Sequence, residues 1–336
     1  MKNRIVQLTE ALKVSLSEQK VPELKDGEAL IEVRASGICG SDLHFFRHAG
    51  LGSHKRKLPV FLGHECAGKV IAEKCNKIKI GDRVAIEPNL PEKSDAWFEK
   101  GRHNLARSTF LGADDNLGCM ADYVVADESQ LLLMPNEMSY EMGSLMEPLS
   151  VCLHSINLSR ASYKDSVTVI GCGAIGLGLV FYLKKIGIKN VFAIDPVEGR
   201  RKASIRLGCT AAFSPDEELS YEKSSVVFDA CGNDKSLDIS LNIADKGGAV
   251  VMIGIPETDF LQINPHLMRI KELNFVNVRR SNLTMPEAIR LFSPHDIPLL
   301  QNMLTHKFNL EDCQKAFELS SEYSDELIKA TFKPLV

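Results

Sequence analysis

The chain has no long run of one charge. Its 40 Lys and Arg nearly balance its 44 Asp and Glu, for a net charge of −4 over 336 residues, so no nucleic-acid surface is expected. Lys55-Arg56-Lys57 is the densest basic cluster, and an exposed loop accounts for it. No apolar run reaches membrane-spanning length, and Met1 to Glu10 lacks a signal-peptide core. The nine cysteines are scattered without a disulfide-like framework. These absences together predict a cytoplasmic protein in a reducing compartment. Pro88 to Gly118 contains no cysteine at all, which excludes a closed four-thiolate metal site there.

What is present suffices for ordinary cores: 44% of residues are hydrophobic and 25% charged, and the length suggests about two domains. The most informative stretch runs from Ser166 to Asp195. Val167, Val169 and Ile170 form a β-branched run suited to a buried parallel strand. Gly171-Cys172-Gly173-Ala174-Ile175-Gly176 follows, then an apolar helical segment to Ile186, and then a second strand, Val191 to Ile194, ending at Asp195. This is the order of a dinucleotide-binding βαβ unit. Gly171 permits the turn, Gly173 lets pyrophosphate approach the backbone, Gly176 brings helix and strand together, and the N–H groups at the helix start bind phosphate. A carboxylate at Asp195 hydrogen-bonds both ribose hydroxyls and repels a 2′-phosphate, favouring NAD over NADP. Arg200 and Arg201 can bind phosphate, though a solvated helix face explains them more simply.

The first half alternates short strands with glycine turns, an all-β pattern. Glu28 to Arg34 is the clearest strand, and a polar turn is expected after Cys39. Asn89 to Gly118 reads as an irregular lobe. Helical pieces are expected at Ser139 to Leu145 and, after Pro148, through His154. The strands Ser225 to Asp229, Ala249 to Ile253 and Phe275 to Val278, with a helix at Ser236 to Ala244, extend the parallel sheet. The tail is too short for a domain, so it is expected to fold back onto the first half. Cys39, His64, Glu65 and Glu147 supply a thiolate, an imidazole and two carboxylates, all zinc ligands. Their separation in sequence leaves open whether they converge: Cys39 can be a small buried hydrophobe, His64 a structural hydrogen-bonder, Glu147 a helix cap.

GICGSDLH at 37–44, LGHE at 62–65, GDRV at 81–84, EPLSV at 147–151 and the glycine fingerprint occur in this order, and the chain thereby resembles the zinc-dependent medium-chain dehydrogenases along essentially its whole length. AIEP at 85–88 with GRHNL at 101–105 is similar to the sorbitol (polyol) dehydrogenase branch. The missing lobe cysteines point the same way, since animal members of that branch lack the structural zinc. The resemblance implies an α/β protein with a GroES-like β-rich catalytic domain at 1–153 and 280–336, and a doubly wound Rossmann domain at 154–279. It implies one catalytic zinc held by Cys39, His64 and Glu65 with a water, and Glu147 either ligating the metal or holding that water. Ser41 resembles the hydroxyl that relays the alcohol proton. Phe45, Phe110 and Arg280 correspond to substrate-pocket positions, and Arg200, Cys231 and Gly254 join the fingerprint as NAD-binding positions. Phe45 stands where polyol enzymes often carry Tyr, and Cys66 follows LGHE where a non-thiol residue is usual.

The expected reaction is therefore oxidation of a secondary alcohol of a polyol to a ketose with hydride transfer to NAD, in a homotetramer or homodimer. The same chemistry on a sugar acid, an amino alcohol or a sugar phosphate is the alternative, which Lys55 to Lys57 keep open for anionic substrates. An inactive dinucleotide-binding scaffold on the same fold is the alternative of another class, and such a protein would be expected to lose metal ligands that this chain keeps.

Overall fold

A computed structural model describes residues 1–113, 118–217, 223–322 and 327–334. The chain divides into two compact units, Met1–Glu147 with Met285–Val336, and Pro148–Thr284.

The first unit is built on a seven-stranded sheet. Its strands run in the order Leu131–Leu133, Arg83–Ile86, Glu65–Glu73, Glu28–Gly37, Lys329–Phe332 and Leu304–Phe308, with Tyr123–Asp127 also paired to Glu28–Gly37. Glu28–Gly37 is buried along most of its length, as befits the strand on which the others assemble. Ile31, Val33, Val70, Val84, Ile86 and Leu131 form one core beneath it. The C-terminal tail returns, as expected, through Lys329–Phe332, which places Thr331 opposite Gly37.

A helix, Gly40–His48, replaces the polar turn expected after Cys39. Cys39 is its N-cap residue, and the Asp42 side chain accepts the Cys39 N–H at 2.9 Å, a reciprocal cap of the kind that fixes a helix start. Leu43, Phe45 and Phe46 are buried by it, and Phe46 meets Phe317 of the helix Cys313–Ser321 at 5.4 Å between ring centroids. In the lobe, Asp95 accepts the Trp97 N–H at 2.8 Å and the Arg107 N–H at 3.2 Å, Arg107 reaches Glu92 at 3.1 Å, and Phe98 stacks on His103 at 4.1 Å. Positions 114–117 of the expected lobe lie outside the described residues.

The second unit holds six parallel strands in the order Ala211–Phe213, Asn190–Ile194, Ser166–Ile170, Ser224–Asp229, Ala244–Met252 and Asn274–Asn277. Ile170, Ile194, Val227 and Val250 form its core. The two helical pieces expected around Pro148 are one helix, Tyr140–Ser159, with the proline inside it. A proline removes one helical hydrogen bond, but Leu145, Met146, Leu149 and Leu153 on both sides are buried, and their packing holds the helix through the break. Among the described residues no helix is long and apolar enough to cross a membrane.

Candidate active site

The register of the first sheet assembles the site. Gly37 lies directly opposite Glu65 in the antiparallel pair Glu28–Gly37 with Glu65–Glu73. Two residues beyond Gly37 comes Cys39, and one residue before Glu65 comes His64, so a single cross-strand pairing draws together residues far apart in sequence. One ligand atom from each of Cys39, His64 and Glu65 lies within 4.8 Å of the other two. Sulfur, imidazole nitrogen and carboxylate oxygen are the mixed donor set of a three-ligand catalytic zinc site. Both Glu65 oxygens are buried, and Oε1 has no hydrogen-bond partner. Buried carboxylate oxygens without hydrogen bonds are costly, and a cation relieves that cost, so the residues fit a zinc ion.

The neighbours order these three. Asp42 Oδ1 stands 3.8 Å from His64 Nδ1, with both side chains buried. Lys329 lies in an ion pair with Glu65 Oε2 and donates to the Ile38 carbonyl at 2.9 Å. Ser41 stands in the first turn of the helix that Cys39 caps. Glu147 is buried outside the three-residue cluster yet close enough to bear on the charge of His64.

Electrostatics without a metal describe a crowded anionic pocket. Burial pushes the Cys39 thiol up to about 12, with Glu65 adding to the shift and Lys329 opposing it. Burial likewise holds Glu147 well above the usual carboxylate range, and raises Asp42. Burial works against the His64 imidazolium, but Asp42, Glu147 and Glu65 outweigh it and raise its pKa. The Cys39, Asp42 and Glu147 shifts disfavour negative charge and the His64 shift favours positive charge, and a dication supplies the positive charge that this set lacks.

The substrate positions are spread more widely. Phe110 is buried with its ring 5.6 Å from that of His64. Phe45 is buried in the core formed around Leu43, Phe46 and Phe317, under the Arg56 guanidinium at 5.8 Å. Arg280 belongs to the second unit and has φ of +54°. Cys66 is 1% exposed and packs in the sheet core with Cys119.

In the second unit Gly171 has φ of +87°, and a Cβ on Gly176 would overlap Gly171 O and lie 2.8 Å from its carbonyl carbon. A Cβ on Gly173 would meet nothing within 4 Å. Gly173 caps the helix Ala174–Lys185 without a side-chain hydrogen bond, which leaves open room and unpaired N–H groups at that helix start. Asp195 is buried at the end of its strand, with Oδ2 accepting the Cys172 N–H at 2.7 Å and Oδ1 the Val197 N–H at 2.8 Å. A carboxylate has acceptor capacity left beyond two bonds. Cys231 and Gly254 meet at the ends of the next two strands, where a Cβ on Gly254 would overlap the Cys231 carbonyl carbon. Arg200 lies in the helix Glu198–Arg206. A pyrophosphate thus has a cradle and a ribose an acceptor, so the turn fits a dinucleotide.

Residues 25–136 match the alcohol dehydrogenase GroES-like domain and residues 174–294 the zinc-binding dehydrogenase domain. Sorbitol dehydrogenase of Rattus norvegicus is 30% identical over 328 residues, covering 92% of this chain and 90% of the relative. The chain belongs to the zinc-dependent medium-chain dehydrogenases. Sorbitol dehydrogenase of Bacillus subtilis is 28% identical, over 99% of this chain and 97% of that one. Among solved structures, an Escherichia coli oxidoreductase/dehydrogenase of unknown specificity superposes with a TM-score of 0.92 at 26% identity over the full length of both. As a zinc-dependent medium-chain dehydrogenase, the protein is an NAD-dependent oxidoreductase that acts on a small alcohol.

Asp42 and Lys329 are site residues that the sequence did not single out. Asp42 had a signal, an acid three positions after a capping residue. Lys329 had none, because only the return of the tail brings it to the site.

Proposed function

We propose that the protein oxidises a secondary alcohol of a polyol of the sorbitol or xylitol kind to a ketose, with hydride transfer to NAD. The carrying observation is the Cys39, His64 and Glu65 cluster, in a chain whose full-length relatives include sorbitol dehydrogenases.

A zinc ion held by Cys39, His64 and Glu65 supplies Lewis acidity to an alcohol oxygen when bound. Ser41, beside Cys39, is the hydroxyl placed to take the alcohol proton onward. Asp42, whose carboxylate faces the His64 ring at 3.8 Å, would support His64 as a ligand by its charge. Glu147 holds water near the cluster or serves as a further ligand. Phe110, against His64, limits water at the reacting carbon. The fingerprint turn binds the pyrophosphate, and Asp195 orients the ribose, as the resemblance implies also of Arg200, Cys231 and Gly254. Positioning is the protein's share of the hydride chemistry.

A second reading takes an anionic substrate, a sugar acid or sugar phosphate. The basic cluster Lys55-Arg56-Lys57 favours it. The test follows NAD reduction across polyols, sugar acids, sugar phosphates and amino alcohols, with zinc measured on the same sample. The fastest turnover is expected with a polyol, and Cys39→Ser is expected to lose zinc and activity while still binding NADH. Full activity in zinc-free Cys39→Ser overturns the site, and exclusive use of anionic substrates overturns the polyol.

A further inference from the structure

Glu65 faces two cations. It belongs to the cluster suited to a metal, and it also lies against the Lys329 ammonium, with the two side chains 1% and 2% exposed. The pair engages Glu65 Oε2 and leaves the buried Oε1 without a hydrogen-bond partner. Lys329 Nζ directs its hydrogen bond to the carbonyl of Ile38, the residue before Cys39.

The arrangement is built into the sheet. Gly37 pairs with Glu65 on one side and with Thr331 on the other, so Glu65 and Lys329 reach toward each other across it. A Cβ on Gly37 would strike Glu65 Oε2 and come within 2.9 Å of Lys329 Cε, so the bare backbone at Gly37 makes the room for the pair. A buried ammonium is costly without a partner, and breaking such a pair on one side leaves the other charge uncompensated.

We propose that Lys329 sets the metal affinity of the site by sharing the Glu65 carboxylate with the metal. The inference rests on the reading that Cys39, His64 and Glu65 hold zinc. An ammonium beside the site repels an arriving dication and competes with it for the same carboxylate. Without the dication, the same ammonium compensates Glu65 and keeps the metal-free pocket folded. Lys329 is therefore a positioning residue that weakens zinc binding and stabilises the empty site.

The test is zinc affinity by chelator competition on the full chain, for the wild type and Lys329→Met. The variant is expected to bind zinc at least tenfold more tightly and to yield it more slowly to the chelator. Its metal-free form is expected to melt at a lower temperature, and the zinc-loaded form to recover most of that loss. In a Glu65→Gln background the gain in affinity is expected to vanish. Unchanged or weaker zinc binding in Lys329→Met overturns the proposal, because a lysine that merely fills a core position lowers the stability of both forms alike. If the metal-free variant fails to fold, refolding with zinc decides: recovery supports the proposal, and failure overturns it. A wild-type chain without affinity for zinc is the separate failure of the metal reading.

Discussion

Asp42 Oδ1 stands 3.8 Å from His64 Nδ1 while its other oxygen accepts the Cys39 N–H at 2.9 Å. One carboxylate thus bears on two members of the metal cluster, setting a charge beside the ring of one and anchoring the backbone of the other. Asp42→Asn keeps an acceptor for Cys39 but removes the charge facing His64. Zinc affinity is expected to fall about tenfold to a hundredfold, with the NADH dissociation constant unchanged. Chelator competition and an NADH titration measure the two, and equal zinc affinity in both proteins contradicts the role.

Gly173 and Gly176 separate packing from binding. An Ala at Gly176 collides with the Gly171 carbonyl, so Gly176→Ala is expected to lower both stability, by about 1–3 kcal/mol, and NADH affinity. An Ala at Gly173 meets nothing within 4 Å, and its extended backbone, φ −72°, suits any residue. Gly173→Ala should therefore melt with the wild type yet bind NADH at least tenfold more weakly, as seen by fluorescence titration. Undiminished NADH binding in Gly173→Ala would show that no pyrophosphate uses that space.

Asp195→Ser is expected to raise the NADP-to-NAD ratio of kcat/KM by at least tenfold, because it removes the charge that repels a 2′-phosphate. A fall in melting temperature should accompany it, since two backbone N–H groups lose a charged acceptor. An unchanged cofactor ratio would leave Asp195 only the second of these tasks.

The glycine fingerprint was readable because its parts are local: strand, turn, helix and Asp195 follow one another within about thirty residues, a span that the motif itself prescribes. The metal cluster was readable only through resemblance, since spacing does not reveal that Gly37 pairs with Glu65. The helix after Cys39 was missed because its start is polar and glycine-flanked, and the burial of Leu43, Phe45 and Phe46 that stabilises it comes partly from the distant tail. Pro148 misled for a similar reason, local chemistry being outweighed by packing. Lys329 could not be read at all, because an isolated lysine near a chain's end signals an exposed one.

The lobe carries no cysteine from Pro88 to Gly118 and is tied instead by Asp95, Arg107 and Glu92 and by the Phe98–His103 stack. Metal analysis is expected to find one zinc per chain. Chelation is expected to remove it and abolish activity while circular dichroism stays native in shape. Two zinc ions per chain, or collapse of the fold with the first, would contradict this.

The most direct test of the zinc centre is the X-ray absorption spectrum of the zinc-loaded protein. One sulfur at about 2.3 Å with the remaining ligands nitrogen or oxygen at about 2.0–2.2 Å is the predicted shell, and the sulfur should disappear together with zinc binding in Cys39→Ser. A shell of several sulfurs, or one with none, would contradict a zinc ion held by Cys39, His64 and Glu65.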